Sequence, residues 1–273
     1  MSKWFKNELG ELVYLRSYAR WLEEDRRRET WPETVQRVME FLFKDKPVSK
    51  QDVSEIHDAI LAQEIMPSMR SLWASGPFAS TDNTAIYNCS FLPIDNLRAF
   101  SELIYILMQG TGVGFSVESK FVDKLPVVSM MADTQVEFQV QDSAEGWADT
   151  VFFVVTHAWK GYGNIVLDYS LVRPRGSRLV TKGGRASGPE PLMKAVEFLI
   201  ETIVGAQGRK LTTLEIYDMC CALAEVVVVG GVRRSAMISL LGVFNLQPGT
   251  CSPSRKVVSN ICTDSLAITT DRL

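Results

Sequence analysis

The stretch that decides the fold runs from Tyr87-Asn88-Cys89-Ser90-Phe91 to Gly110-Thr111-Gly112-Val113-Gly114-Phe115. The residues around Cys89 have the pattern of a short apolar strand, and those before Gly110 have the pattern of a helix. This order places one thiol beside a glycine-rich backbone that a ligand can approach closely. A cysteine in an apolar strand is more often a small buried hydrophobe. The spacing alone therefore leaves both a catalytic and a core role open.

Downstream of Ala85 the pattern alternates between short apolar strands and amphipathic helices. Strands are predicted at 86–92, 113–118, 164–168 and 235–240, and helices at 97–109, 143–159, 189–206 and 214–229. This alternation is typical of a mainly parallel sheet covered by helices, in which ligands bind at the carboxyl ends of the strands. We therefore expect Cys89 and the glycine turn to line one mouth, with the thiol buried but accessible to a ligand.

The two ends of the chain differ from this middle part. Residues 1–66 predict a helical domain, with helices near 12–27, 32–43 and 51–62, and with the Arg26-Arg27-Arg28 run at a solvated helix end. Residues 67–240 form the alternating domain. Residues 241–273 contain the turn-forming segment Pro248-Gly249-Thr250-Cys251-Ser252-Pro253-Ser254 and little periodicity. We expect this tail to be unrelated to the rest of the fold.

Composition excludes several classes of protein. The 273 residues are 46% hydrophobic and 22% charged, enough for one large domain or for one domain and an accessory module. The formal charge of -3 and the scattered basic residues do not predict a nucleic-acid partner. We expect a cytoplasmic protein without a membrane partner, since the chain shows neither a signal-peptide pattern nor an apolar run long enough to span a bilayer.

Cysteine and histidine usage bounds the chemistry further. Five cysteines without a regular framework do not predict structural disulfides. Only two histidines, His57 and His157, and no Cys-x-x-Cys pair argue against a zinc site, so no metal ligand is predicted. Cys220 and Cys221 are adjacent within a predicted helix and are expected to be core residues.

Three loops carry candidate binding chemistry. The glycine turn follows a helix and precedes a strand, which is the reverse of a dinucleotide-binding fingerprint. The segment 182–191 leads into a helix with Ser187 or Gly188 expected as the N-cap. Lys182 and Arg185 beside free backbone amides favour a phosphate, although a well-capped helix explains the same residues. The segment 230–235 is either a solvated turn or a mobile loop in which Arg233 and Arg234 grip a phosphate or a base.

Taken together and in order, these segments are specific. The sequence resembles the monomeric, adenosylcobalamin-dependent (class II) ribonucleoside-triphosphate reductases over roughly residues 1 to 240. The motifs that carry the resemblance are Pro67-Ser68-Met69-Arg70, Tyr87-Asn88-Cys89-Ser90-Phe91, Gly110 to Glu118, Val172-Arg173-Pro174 with Gly183 to Pro189, and Val227 to Ala236.

The resemblance implies an α/β fold, a helical N-terminal domain followed by the first half of a ten-stranded barrel. It implies radical reduction of ribonucleoside triphosphates to 2′-deoxyribonucleoside triphosphates for DNA synthesis, with adenosylcobalamin as cofactor. The implied partners are the ribonucleoside triphosphate substrate, a deoxynucleotide effector, and thioredoxin or a similar dithiol reductant.

The resemblance also assigns roles to residues. It makes Cys89 the first of two reductant cysteines, with Ser68, Asn88 and Ser90 at the substrate. It places the effector or specificity loop at Lys182, Arg185, Ser187, Arg233 and Arg234. The chain has no Asn-Pro-Cys-Gly-Glu motif to supply the radical cysteine, and no match to the second reductant. We therefore expect an incomplete N-terminal portion that is inactive alone.

Two other functions stay open from the sequence. One is a non-catalytic nucleotide-binding remnant that kept the effector region. The other is a fragment of the large subunit of a class I ribonucleoside-diphosphate reductase. An Asn-Pro-Cys-Gly-Glu motif encoded downstream of Leu273 would favour an interrupted reductase gene over the binding remnant.

Overall fold

The computed structural model describes residues 4–179, 185–230 and 236–241, without the side chains of 228–230, and every structural statement concerns these residues. The chain divides into two compact units. The first is Met1–Asn88 with Leu179–Gly184, and the second is Cys89–Arg178 with Arg185–Leu273.

The first unit is mainly helical. Its elements are α1 (Glu8–Ser17), β1 (Trp21–Leu22), β2 (Arg27–Arg28), α2 (Trp31–Phe43), α3 (Lys50–Leu61), α4 (Met69–Ala74), α5 (Pro77–Thr81) and a 3-10 helix (Asn83–Ile86). The predicted second and third helices are confirmed. Helix α2 begins at a capping box, in which Glu33 and Thr30 bond each other's backbone amides. Helix α3 begins where the Ser49 hydroxyl accepts the amide of Asp52.

The first predicted helix is too long. Helix α1 ends at Ser17, and the chain then forms a two-stranded antiparallel ribbon with Trp21 opposite Arg28. Arg26 has a φ of 52°, a left-handed conformation that cannot continue a helix. The expectation that the arginine run forms a helix end is therefore wrong. Arg26 lies in the turn of the ribbon, and Arg27 and Arg28 form its second strand. Arg27 forms ion pairs with Asp25 and Glu33.

Aromatic packing holds the first unit together. Tyr14 and Trp31 are almost fully buried and meet edge to face, with ring centroids 5.6 Å apart. Phe5 stacks on Tyr14 at 5.0 Å. Such pairs add about 0.5–1.5 kcal/mol beyond the area they bury. They fix α1 against α2.

The second unit contains the parallel strands. Its elements are β3 (Cys89–Pro93), α6 (Arg98–Met108), β4 (Gly112–Ser116), α7 (Ser119–Val122), β5 (Gln135–Gln139), α8 (Ala144–Lys160), β6 (Asn164–Asp168), α9 (Glu190–Val204), α10 (Thr213–Gly230) and β7 (Met237–Leu240). One sheet has the order β3-β4-β7 and a second pairs β5 with β6, and all of these pairings are parallel. The predicted alternation and the parallel pairing are confirmed.

Two local details differ from the sequence prediction. Strand β5 was not predicted because its exposed positions are Gln135, Glu137 and Gln139, residues that are not typical of strands. The N-cap of α9 is Pro189 rather than Ser187 or Gly188. Gly188 has a φ of 79°, which turns the chain before the helix begins.

The core of the second unit lies between its long helices and one face of the three-stranded sheet. Phe100 on α6 and Trp159 on α8 are fully buried, with ring centroids 6.3 Å apart. The Trp159 indole N–H donates to the carbonyl of Pro126 at 2.9 Å. Phe115 on β4 stacks on Tyr217 of α10 at 6.1 Å. The helices therefore cover the face of β4 that carries Val113 and Phe115.

Candidate functional site

Cys89 is the first residue of β3 and lies directly opposite Gly112, the first residue of β4. The thiol and the glycine turn therefore share one edge of the sheet, as predicted. The expectation that this edge is the carboxyl end is wrong, since both residues begin their strands. The expectation of a buried thiol is also wrong, because Cys89 is an exposed free cysteine.

Over its first residues, the three-stranded sheet has one face that the helices of the second unit leave exposed. Side chains alternate along a strand, so the residues of β4 beside the buried Val113 and Phe115 lie on the other face. The strand register places Cys89 beside Gly112, Phe91 beside Gly114, and Gly114 beside Ile238. We call the face formed by Cys89, Phe91, Gly112, Gly114 and Ile238 the open face. Phe91 is 57% exposed and Ile238 is 43% exposed, on either side of a floor of glycine.

Glycine occurs at positions 110 and 114 of the turn under different structural constraints. Gly110 has a φ of 78° and ends α6. Its amide donates to the carbonyl of Leu107 at 2.8 Å, and that of Thr111 donates to the carbonyl of Ile106 at 3.4 Å, which is a Schellman cap. Gly114 is different, because a Cβ there would meet only ordinary contacts, at 3.6 Å from the Ser90 carbonyl oxygen. Packing among the described residues therefore does not require glycine at 114.

Ser90 lies on the opposite face of β3 from Cys89. Its register partner is Val113, and its hydroxyl donates to the carbonyl of Gly112 at 3.2 Å. This bond links the first residues of β3 and β4. The structure therefore does not bring the Ser90 hydroxyl to the face that carries the thiol.

Ser68 and Asn88 belong to the first unit, and each is hydrogen-bonded to a residue of helix α4. The Ser68 hydroxyl caps α4 by accepting the amide of Ser71 at 3.0 Å. From the first turn of that helix, Arg70 donates through Nε to Oδ1 of Asn88 at 3.0 Å. Asn88 is the residue before Cys89. Arg70 is the last residue of the Pro67-Ser68-Met69-Arg70 motif, and the sequence alone predicts no role for it.

A buried ion pair in the first unit escaped sequence analysis. Glu29, 4% exposed, receives Nε and Nη2 of Arg37 at 2.7 and 2.9 Å. Burial by itself raises the pKa of Glu29, but the hydrogen bonds and charge of Arg37 outweigh it and hold the pKa below its usual value. Burial and the nearby Arg37 charge lower the pKa of Arg20 to about 10.

The same two arginines cap the end of α4. Arg37 donates to the carbonyls of Leu72 and Ser75, and Arg20 donates to those of Trp73 and Ala74. Four consecutive carbonyls at a helix C-terminus thus meet two cations, which is the favourable sign for the helix dipole. We call this arrangement the guanidinium clamp. Its only signal in the sequence is Gly76, where a Cβ would crowd the Arg37 side chain at 3.3 Å.

The predicted effector segment is described in part. Arg185 forms an antiparallel backbone β-bridge with Arg178, and its side chain donates to the carbonyl of Gly176 at 2.9 Å. The Ser187 hydroxyl donates to the carbonyl of Gly188 at 3.2 Å. Both side chains therefore stabilise the loop itself. Lys182, Arg233, Arg234 and the tail 242–273 lie outside the described residues.

Comparison with known proteins identifies the family. Residues 1–77 match the model of the ribonucleotide reductase alpha domain, and residues 107–203 match that of the insertion domain of B12-dependent ribonucleotide reductase. The chain belongs to the B12-dependent ribonucleotide reductases. The adenosylcobalamin-dependent ribonucleoside-triphosphate reductase of Euglena gracilis is 30% identical over 258 residues, covering 85% of this chain and 35% of the relative. Those of Levilactobacillus brevis and Lactobacillus leichmannii are each 29% identical, covering 86% and 85% of this chain.

The fold agrees with the family. A crystal structure of a B12-dependent (class II) ribonucleotide reductase superposes with a TM-score of 0.76 at 24% identity, covering 96% of this chain and 45% of that one. The expected fold class is confirmed. The chain spans 41% of the length of the Levilactobacillus brevis reductase.

The other described cysteines of the chain are structural. Cys220 and Cys221 are buried within α10, and burial raises the pKa of the Cys220 thiol well above its usual value. A buried thiol that stays protonated is a poor nucleophile and a poor reductant. The described residues contain no group of three or more His, Cys, Asp or Glu side chains that would hold a metal ion. No helix among them is long and apolar enough to cross a membrane.

Proposed function

We propose that this chain takes part in the reduction of ribonucleoside triphosphates to 2′-deoxyribonucleoside triphosphates, with Cys89 as one of two thiols that supply the electrons. The observation that carries the proposal is the place of Cys89, an exposed thiol at the edge of an open, glycine-floored sheet face. Family membership supports the reaction. The chain covers 35% of the Euglena gracilis relative and 41% of the Levilactobacillus brevis one, so the complete activity is proposed for the whole protein.

The proposed chemistry balances with two cysteines. Two thiols become one disulfide, and their two electrons and two hydrogens replace the 2′-hydroxyl by hydrogen and release it as water. Cys89 forms one half of that disulfide, and we assign no described cysteine to the other half. Thioredoxin or a similar dithiol then returns the disulfide to thiols by exchange.

Adenosylcobalamin is the proposed cofactor, on the strength of the family. When bound it supplies the radical that starts the reaction. We assign none of the described residues to the coenzyme. Their proposed part is to hold the nucleotide over the open face and to keep Cys89 at its edge.

The other site residues remain proposals with unequal support. Asn88 immediately precedes Cys89, and Ser68 lies in the preceding motif of the family. The Ser68 hydroxyl is hydrogen-bonded to Ser71, and the Asn88 side chain is hydrogen-bonded to Arg70. Ser90 supports the sheet from its other face. A deoxynucleotide effector is proposed at the loops that carry Lys182, Arg185, Ser187, Arg233 and Arg234. Replacement of Arg233 and Arg234 by alanine should weaken effector binding, whereas unchanged binding would make that loop a structural hinge. We also propose a cytoplasmic location, where the nucleotide pool and a dithiol reductant are present.

The direct test is protection of Cys89 by nucleotide. The purified chain is treated with iodoacetamide in the presence of increasing ribonucleoside triphosphate, and modification is measured on the peptide that carries Cys89. We expect the triphosphate to slow alkylation at millimolar concentration or below, whereas inorganic triphosphate alone gives little protection. An alkylation rate that the nucleotide leaves unchanged would refute a nucleotide site at the open face.

A further inference from the structure

We propose that Arg70 is a positioning residue for Cys89. It holds Asn88 by a hydrogen bond, and the guanidinium clamp fixes the helix from which Arg70 reaches. The inference rests on the proposed function in that Cys89 is the residue whose position matters. The supporting contacts all lie within the first unit, and the last of them is made by Asn88, one residue before the thiol.

A side-chain hydrogen bond joins Arg70 to Asn88. Arg70 is partly buried, and its Nε lies 3.0 Å from Oδ1 of the exposed Asn88. A hydrogen bond from a charged donor is stronger than one between neutral groups. The neighbouring Tyr87 is 61% exposed, so side-chain burial does little to hold this part of the chain. The Tyr87 amide also donates to the carbonyl of Thr84 at 3.1 Å, so the backbone is held just before Asn88 while the bond from Arg70 restrains the Asn88 side chain.

The second step is the rigidity of the helix that carries Arg70. Helix α4 has six residues, too few to be stable by itself. It is capped at its start by Ser68 and at its end by the guanidinium clamp, whose Arg37 is in turn held by the buried Glu29. Both ends of the helix are fixed, so Arg70 acts from a stationary support.

The third step is the geometry of the strand that follows. Cys89 starts β3 and its only strand neighbour in the described sheet is Gly112, which has no side chain to hold it. The thiol is exposed and packs into no described core cluster. Its orientation therefore depends on the backbone that precedes it, which is the backbone of Asn88.

The experiment places a nitroxide spin label on Cys89 and reads its mobility by electron paramagnetic resonance, without nucleotide. Cys251 and Cys262 are first replaced by serine, and Cys220 and Cys221, which are buried, are expected not to react in the folded chain. We expect Arg70→Ala and Asn88→Ala each to shorten the rotational correlation time of the label by about twofold or more. The double variant should match the single variants, because both remove the same bond. Arg70→Lys, which keeps a donor, should restore part of the slow motion.

Arg98→Ala is the matched control. Arg98 pairs with Glu102 on the exposed side of α6, and its loss should leave the label unchanged. A label whose mobility does not respond to Arg70→Ala or to Asn88→Ala, in variants that remain folded by circular dichroism, would overturn the proposal and make Arg70 a purely structural tie. If Arg70→Ala fails to fold, Asn88→Ala alone decides, since it removes only an exposed amide. The test uses no ligand, so its outcome is independent of whether nucleotide protects Cys89.

Discussion

Phe91 and Gly114 are register partners across β3 and β4, and a Cβ placed on Gly114 would lie 3.9 Å from the Phe91 ring. The gap between the two residues is thus wide enough for one methyl group without a clash. The glycine at this position is not explained by packing within the described structure. Glycine leaves space at this position beside the exposed Phe91 ring. Substitution of Gly114 by alanine tests whether a ligand needs that space.

We predict that Gly114→Ala keeps or raises the stability of the chain while it weakens nucleotide protection of Cys89. Alanine restricts the unfolded chain, which contributes about 0.4–1 kcal/mol where the backbone accepts it. The added methyl occupies the floor of the open face. Thermal unfolding and alkylation of Cys89 measure the two effects separately.

Gly161→Ala is the contrasting control for that substitution. Gly161 has a φ of 67° and its Cβ would collide with the backbone of Met130. This variant should be clearly less stable. If Gly114→Ala proves equally destabilising, the glycine has a structural role after all.

We predict that Glu29→Gln destabilises the first unit by about 3 kcal/mol, because it leaves the buried Arg37 without its charge partner. Denaturant unfolding followed by tryptophan fluorescence measures the loss. Asp25→Asn, at an exposed position of the ribbon, should change the unfolding midpoint little. Equal effects of the two substitutions would contradict a special role for the buried pair.

The acid stability of the chain should depend on Glu29 in a defined direction. The pKa of Glu29 in the folded chain lies below its ordinary value of 4.5. The unfolded chain therefore binds the proton first as the pH falls, and stability that is complete above pH 4.5 is lost as the pH falls toward the folded pKa. In Glu29→Gln this component is absent, so the stability difference between the two proteins should shrink below pH 4.5. A stability difference between the two proteins that stays constant as the pH falls below 4.5 would be evidence against this linkage.

The cysteines should separate by reactivity. In the folded chain iodoacetamide should modify Cys89 readily, because its thiol is exposed, and should leave Cys220 and Cys221 unmodified. In denaturant all of them should react. Substantial native-state labelling of Cys220, measured by peptide mass spectrometry, would show that α10 opens far more readily than its burial indicates.

Cys89→Ser should cost little stability, since the side chain is exposed. In the whole protein it should abolish repeated turnover, because serine cannot form the disulfide. Normal turnover of that variant with thioredoxin as reductant would remove Cys89 from the reaction.

Much of the secondary structure of both units is predictable from sequence because local patterns dictate it. The apolar pattern at 164–168 marks a strand whose bounds the structure confirms as Asn164–Asp168. Gly110 ends α6 through a local cap that needs a left-handed residue. Pro32 and the Thr30 and Glu33 pair likewise start α2 by interactions within one turn. Such features depend on residues a few positions apart, so the chain carries their signal directly.

The site required the tertiary structure because it depends on pairs that are far apart in the chain. The sequence by itself determined that Cys89 and the glycine turn share one sheet edge and that the motifs resemble those of a class II reductase. The strand register decided which edge that is, which face carries the thiol, and that Ser90 faces away from it. Packing decided the pairing of Glu29 with Arg37 and of Arg70 with Asn88. Charged residues have the same local pattern whether they are solvated or buried, and only the folded chain brings each to the partner that makes its burial favourable.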